Sequence, residues 1–149
     1  MPAPPDSLDA LGARLGHSFR DRALLLEALT HPSYANEHPD CRDNERLAFL
    51  GDAVLGLVVA ERLFEQETAA PVGVLTPRRA GLVSGAGLAR WAEQVGLGAL
   101  LRLGRGEEAT GGRAKESVLA TALEAVLAVA YLEGGLPAAR RAVAALAVW

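Results

Sequence analysis

The chain has 149 residues, of which 50% are hydrophobic, and this suits one compact domain with its own core. The formal net charge of −3 gives no general attraction for phosphates, and the single cysteine, Cys41, excludes an intrachain disulfide and a cysteine-rich zinc site. No signal peptide and no stretch of roughly 20 apolar residues is evident, so we expect no membrane association and a cytoplasmic location.

Cap and stop signals in the first half predict two short helices and one long one. Ser7, Asp21 and Asp43 can each accept a backbone hydrogen bond at a helix start, and His31-Pro32 stops the second helix. The polar segment 34–42 predicts a loop. The three helices are expected to span residues 7–15, 21–30 and 44 to about 66.

The second half follows the same pattern. Thr76-Pro77 predicts a helix start, Ser84-Gly85 a break in that helix, and Gly96 its end. A loop rich in Gly and Arg follows at 103–116, and Gly134-Gly135 separates the last two helices. These helices are expected at 76–95, 117–132 and 138 to about 148. No segment shows a convincing period of two, so the predicted fold class is all-α.

Two carboxylates on the long helix are candidates for chemistry. Glu45 and Asp52 are seven positions apart, close to two helical turns, so they share a face that also carries Ala48. Ordinary solvent-facing charges are the alternative, but Asp52 lies in a strongly apolar segment. Glu124 is flanked almost wholly by apolar residues, where an ionised carboxylate is costly unless paired or bound to metal.

Residues 45–56, Glu-Arg-Leu-Ala-Phe-Leu-Gly-Asp-Ala-Val-Leu-Gly, resemble the signature helix of bacterial ribonuclease III, and within Glu45–Asp52 only Ala48 departs from it. The resemblance continues in order through 30–37, 75–84, 103–112 and 117–120. It implies the helical endonuclease domain of that family over residues 1–149, paired as a two-fold homodimer around a valley for double-stranded RNA. The family's C-terminal RNA-binding module has no counterpart here, either because the protein is naturally short or because the chain is truncated.

The resemblance also implies a site for Mg²⁺, with Mn²⁺ as a substitute. Carried over by position, the family's four acidic ligands become Ala48, Asp52, Thr121 and Glu124, so two are lost and metal binding is expected to be weakened. Thr121 offers a neutral oxygen. Glu45 is implied to orient metal-bound water or contact RNA, and Val72 stands near the place of another functional glutamate.

The remaining candidates keep two interpretations each. Phe49 is either a core residue or, as the resemblance suggests, a knob that enters the second subunit. Arg105, Arg113 and Lys115 either contact RNA phosphates or belong to a solvated loop. His31 is read as a loop or capping residue rather than a catalytic base, and Cys41 as incidental. Fourteen of the 15 basic residues are Arg, which either serves phosphate contacts or, as the alternative, reflects GC-rich coding.

Three functions remain as hypotheses. The first is a divalent-metal endoribonuclease that cuts double-stranded RNA, such as ribosomal RNA precursors, and leaves 5′-phosphate and 3′-hydroxyl ends. The second is a catalytically degenerate paralogue that binds RNA or serves as a structural part of a ribonucleoprotein, motivated by Ala48, Val72 and Thr121. The third is a helical dimer module that binds only protein.

Overall fold

The computed structural model describes residues 5–146 and shows the predicted all-α architecture. One isolated parallel bridge, between Thr30 and Arg102, is the only strand-like pairing within that range. The helices are α1 Pro5–Leu15, α2 Arg22–Ala28, α3 Pro32–Glu37, α4 Glu45–Gln66, α5 Val72–Leu82, α6 Gly85–Gln94, α7 Arg105–Ala109 and α8 Glu116–Leu146, with short 3₁₀ turns at Leu97–Leu100 and Gly112–Ala114.

Helix α8 lies at the centre of the core. Its most extensive packing is against α4, followed by α6. Although the sequence predicts no membrane span, α8 is long and apolar enough for one by length and composition. However, 61% of its most apolar window is buried inside the fold, and an all-round apolar helix of this kind is typical of a protein core.

Several helix boundaries confirm the signals in the sequence. The Asp21 carboxylate accepts a hydrogen bond from the Leu24 amide at 3.0 Å, and the Ser84 hydroxyl accepts one from the Gly87 amide at 3.1 Å. Gly96 ends the segment after α6 with a φ of 68°. Gly135, with φ 68° and ψ −166°, interrupts α8 where two helices were predicted. The predicted end near Val148 lies outside the described residues.

Other boundaries were predicted wrongly. Helix α1 begins at Pro5, so Ser7 lies inside it and is not its cap. Helix α5 begins at Val72 with Pro71 before it, and Pro77 is an interior residue rather than part of the first turn. Helix α2 ends at Ala28 instead of Thr30. In α5 the residue before the first turn is Pro71, so the helix starts one turn upstream of the predicted Thr76-Pro77 signal.

Both predicted loops contain a short helix. Helix α3 occupies the first part of segment 34–42, and α7 lies within segment 103–116. The two helices are joined because the Glu37 carboxylate accepts hydrogen bonds from the Arg105 amide at 2.7 Å and from its Nε at 3.1 Å. These tertiary hydrogen bonds stabilise polar segments whose sequence carries no clear helical period.

The start of α4 is fixed by a polar cluster of two buried residues, Thr30 and Asn44, and the half-buried Arg102. The Asn44 amide donates to the Thr30 carbonyl at 2.9 Å, and its side chain donates to the Ala28 carbonyl at 3.1 Å. The Arg102 guanidinium donates to the Thr30 hydroxyl at 2.9 and 2.7 Å. Asp43 acts from one residue before the cap by accepting from the Glu45 amide at 3.0 Å.

Candidate functional site

The candidate site lies where α4 crosses α8. Gly51 of α4 lies directly against the backbone of Glu124 of α8: a Cβ atom added to Gly51 would lie 2.5 Å from the Glu124 carbonyl carbon and 3.1 Å from its Cα. Asp52 follows Gly51 in the chain and is exposed, while Glu124 is half-buried. The crossing therefore brings the two predicted carboxyl groups to one place.

The pKa of Glu124 also indicates that the two carboxyl groups lie close together. Burial, and then a hydrogen bond and charge repulsion from Asp52, raise the pKa of Glu124 from 4.5 to about 8. Two carboxyl groups that approach each other share a proton, because two adjacent negative charges are unfavourable without a cation. At neutral pH and without metal, Glu124 therefore keeps its proton most of the time.

Ala48 and Thr121 flank this pair but add no negative charge. Ala48 lies one turn before Asp52 on α4 and is only 8% exposed, and Thr121 lies one turn before Glu124 on α8 and is half-buried. Within residues 5–146, no group of three or more His, Cys, Asp or Glu residues could hold a metal ion. The site thus offers two carboxylates and a hydroxyl one turn away along α8.

This donor set suits a hard divalent cation. Mg²⁺ is often held by one or two carboxylates and keeps several waters, so two converging carboxylates are a sufficient though minimal protein contribution. The raised pKa of Glu124 is consistent with a site whose second negative charge needs a cation for compensation. Asp52 and Glu124 fit such an ion, with Thr121 as a neutral oxygen nearby.

Glu45 and Phe49 lie on the same face of α4 as Asp52, because the three follow one another at intervals of four and three residues. Glu45 is exposed, and Phe49 is 84% exposed, so the interpretation of Phe49 as a core residue is wrong. An open groove of about 840 Å³ lies beside them, and its apolar lining includes Leu47, Phe49, Leu50 and Leu132. An exposed aromatic ring beside an apolar groove is unusual for a surface that stays in water.

Val72 is the first residue of α5 and is 75% exposed. It supplies no oxygen to a site. Cys41 is a free, half-buried thiol that lines the groove beside Phe49. His31 is the residue before α3, and its Nδ1 accepts a hydrogen bond from the Ser33 amide at 3.0 Å. The prediction that His31 is a capping residue is confirmed.

The three predicted RNA-binding cations lie in and after α7, and each is paired with a glutamate. Arg105 pairs with Glu37 at 3.1 Å, Arg113 with Glu108 at 2.7 Å, and Lys115 with Glu107 at 3.0 Å. The Arg105 side chain is 95% exposed. Arg113 differs because its Nη1 also donates to two backbone carbonyls, of Gly98 at 3.1 Å and Leu101 at 2.7 Å.

These contacts separate the three cations by availability. Exposed ion pairs contribute little, so an RNA phosphate can replace the glutamate beside Arg105 or Lys115. Arg113 would have to give up two backbone hydrogen bonds as well. The geometry favours a structural role for Arg113 and leaves Arg105 and Lys115 as candidates for contact.

Sequence reasoning missed Gly51, which the structure places at the helix crossing. The available signal was a glycine inside a strongly apolar helical segment, which costs helix stability and commonly marks a close approach. The partner in that approach, Glu124, was recognised only for its carboxylate.

Comparisons with known proteins find similar sequences along most of the chain. A sequence family described as ribonuclease-III-like matches residues 21–148. Ribonuclease 3 of Symbiobacterium thermophilum is 54% identical over 129 residues, which are 87% of this chain and 54% of that protein. Ribonuclease 3 of Heliobacterium modesticaldum is 49% identical over 143 residues, which are 95% of this chain and 61% of that protein. The chain therefore spans little more than half the length of these relatives.

The fold is similar to that of a solved nuclease domain. The nuclease domain of ribonuclease III from Campylobacter jejuni superimposes with a TM-score of 0.85 at 38% sequence identity, covering 93% of this chain and 95% of that one. That structure is described as showing flexibility in the region involved in dimer formation.

Proposed function

This chain belongs to the ribonuclease-III-like family, and from that premise we propose that it is an endoribonuclease domain that hydrolyses double-stranded RNA with the help of a divalent metal. The observation that carries the proposal is the convergence of Asp52 and Glu124 from two different helices.

Asp52 and Glu124 would hold the metal, Mg²⁺ or Mn²⁺, with Thr121 as an additional oxygen. A divalent cation there would make a bound water acidic enough to react at neutral pH and would offset charge on the phosphate. The chain's own contribution is to release the proton that Glu124 holds below pH about 8 and to present two adjacent negative charges. Ala48 and Thr121 lower that charge relative to the four-carboxylate pattern, so we propose weakened metal affinity.

The substrate would be held by contacts that do not read sequence. Duplex RNA is recognised chiefly through its shape, phosphates and 2′-hydroxyls. Arg105 and Lys115 are exposed cations whose glutamate partners can be displaced, and Glu45 lies on the same face of α4 as Asp52. Structured precursors such as ribosomal RNA in the cytoplasm are the substrates we propose.

We further propose that the domain acts as a homodimer. Phe49 projects from α4 beside an apolar groove, and burying its ring against a second copy would remove a large apolar surface from water. The Campylobacter nuclease domain is described with a region for dimer formation, which supports the same arrangement here. A two-fold pair would carry two equivalent sites, one for each strand of a duplex.

The test is cleavage of a long RNA duplex over a titration of Mg²⁺ and Mn²⁺. Cleavage should require metal and should vanish in Glu124→Ala, whereas Glu116→Ala, an exposed glutamate on the same helix, should retain it. Absence of cutting with either metal, in a protein shown to be folded, would refute the proposal.

One observation favours a second candidate, an RNA-binding module without catalysis. The described residues contain no third acidic ligand at the Asp52–Glu124 pair, and Ala48 fills the vacant position with a buried methyl group. Such a module would bind duplex RNA to a similar extent with EDTA and with Mn²⁺. The same titration separates the two candidates, because only the nuclease gains a signal from metal.

A further inference from the structure

Gly51 is the point at which α4 and α8 touch. Its nearest neighbours outside its own helix are the carbonyl oxygen, the carbonyl carbon and the Cα of Glu124, all of them backbone atoms. We propose that Gly51 is a positioning residue, whose missing side chain sets the α4–α8 separation at which the Asp52 and Glu124 carboxylates can share one cation. This inference rests on the proposed function, because it assumes that those carboxylates hold a metal.

The contact with Glu124 cannot be relieved by a side-chain rotation. An added Cβ would lie 2.5 Å from the Glu124 carbonyl carbon, whereas carbon atoms in contact prefer about 3.5 to 4.0 Å. A methyl group at residue 51 therefore requires the helices themselves to move apart by at least ~1 Å, because the Glu124 carbonyl oxygen lies nearer still. Mg²⁺ demands near-ideal ligand distances, and functional groups must be held within about 0.5 Å, so a movement of this size would disrupt a shared site.

A second glycine on α4, Gly56, has room for a side chain. A Cβ added to Gly56 would meet nothing within 4 Å outside its own helix turn. Glycine inside a helix is destabilising relative to alanine, so glycine at residue 51 carries a cost that the approach to Glu124 explains. Because Asp52 is covalently adjacent to Gly51, a shift of the crossing moves its carboxylate directly.

The experiment measures Mn²⁺ binding by electron paramagnetic resonance, together with RNA cleavage, in three glycine variants. Gly51→Ala should weaken Mn²⁺ binding at least tenfold and raise the ratio of Ca²⁺ to Mg²⁺ affinity, since the larger and more flexible ion tolerates a wider site. Gly56→Ala should bind as the unmodified protein does.

Gly87→Ala is the control for strain alone. Its Cβ would lie 2.7 Å from the Gly81 carbonyl oxygen and 3.0 Å from the Leu82 carbonyl carbon, at the junction of α5 and α6. That variant should lose stability while keeping Mn²⁺ affinity. A destabilised protein with intact binding shows that loss of stability by itself does not weaken the metal site.

A variant of Asp52 tests the same spacing without any change to the crossing. Asp52 is exposed, so Asp52→Glu should fold normally, and its longer side chain should misplace the carboxylate and weaken Mn²⁺ binding at least tenfold. In the Gly51→Ala background, the same change should restore part of the affinity, because the longer side chain spans a wider gap. Undiminished affinity in Asp52→Glu alone would overturn the inference, even if Gly51→Ala did not fold.

The outcomes also distinguish the inference from the proposed function. A folded Gly51→Ala protein with unchanged Mn²⁺ affinity would refute the role of Gly51 and leave the nuclease proposal intact. If the unmodified protein shows no Mn²⁺ binding that depends on Glu124, the nuclease proposal fails. A crystal structure of Gly51→Ala would then decide the spacing claim, since an unchanged α4–α8 separation would contradict it.

Discussion

Glu124 is the residue whose behaviour departs most from its sequence type. It lies in the core helix, half-buried, against the Asp52 carboxyl group, and its pKa is raised to about 8. An isolated glutamate on a surface would be ionised at neutral pH. The protonated state of Glu124 follows from burial and from the like charge of Asp52. A higher pH, a bound metal ion or a substitution would therefore remove it.

We predict that stability without metal falls as the pH rises from 4.5 to 8. In this window the folded protein keeps a proton on Glu124 that the unfolded chain has already released, so raising the pH favours unfolding. Thermal melts in EDTA should therefore show a lower Tm towards pH 8 relative to Glu124→Gln, which cannot ionise, and Mg²⁺ should reduce the loss. A constant difference in Tm between the two proteins across this range would contradict the raised pKa.

The carboxylates with lowered pKa act in the opposite direction and elsewhere on the pH scale. A backbone hydrogen bond from Arg105 lowers the pKa of Glu37, and a side-chain hydrogen bond from Arg140 lowers that of Glu61. Their stabilisation is lost only as the pH falls below the ordinary value of 4.5. Glu37 and Glu61 therefore do not affect the comparison of the unmodified protein with Glu124→Gln above pH 4.5.

We predict that restoring the two missing acids strengthens the metal site. Ala48→Glu together with Thr121→Asp should lower the Mg²⁺ concentration for half-maximal cleavage by at least tenfold. The reason is that each of the two added carboxylates contributes a charge-assisted contact worth ~1 to 3 kcal/mol. A duplex-cleavage titration measures this. The matched control, Gln66→Glu with Ala144→Asp, adds the same charges at exposed positions of the same helices, far along the chain from Asp52 and Glu124, and should have little effect.

At the scale of elements, the backbone at Gly135 decides how the chain continues after the core part of α8. Its φ of 68° and ψ of −166° form a conformation that is essentially reserved for glycine. Just before it, the Glu133 carboxylate accepts hydrogen bonds from His17 at 2.7 Å and from the Asp21 amide at 2.7 Å. The interruption of α8 is therefore tied to the start of α2.

We predict that Gly135→Ala lowers the free energy of unfolding by about 1 to 3 kcal/mol, because a side chain is strained in that conformation. Urea denaturation followed by circular dichroism measures the change. Gly106→Ala, in the exposed helix α7 where an added Cβ meets nothing within 4 Å, should be neutral or slightly stabilising. Equal stability of the two variants would show that a side chain at residue 135 causes no strain.

At the scale of the whole molecule, the exposed Phe49 ring is an apolar surface that a single copy leaves in water. We predict that Phe49→Ser shifts a dimer towards monomer in sedimentation experiments, because the ring would be lost from the interface. Since Phe49 is 84% exposed, the monomer should keep its fold. Phe49→Leu, which keeps an apolar side chain, should dissociate less, and a wholly monomeric parent protein would contradict the dimer proposal.

The sequence by itself determined the order and approximate position of the longer helices, but it predicted loops where the short helices α3 and α7 lie. The correct signals each act over only a few residues: the apolar spacing, the caps Asp21 and Ser84, and the glycines Gly96 and Gly135. The hydrogen bonds and backbone preferences behind them involve only neighbouring residues, so the sequence contains them in full. The sequence also identified Asp52 and Glu124 as unusual acids, from their apolar neighbours. It misplaced the starts of α1 and α5, which lie upstream of the predicted signals at Ser7 and Thr76-Pro77.

Only the tertiary structure decided how far apart α4 and α8 lie and how their packing affects the neighbouring side chains. The Gly51 contact, the raised pKa of Glu124 and the exposure of Phe49 all depend on how α4 packs against α8 and the rest of the core. Helix separation is set by the side chains of many residues packing at once, so no short stretch of sequence contains it.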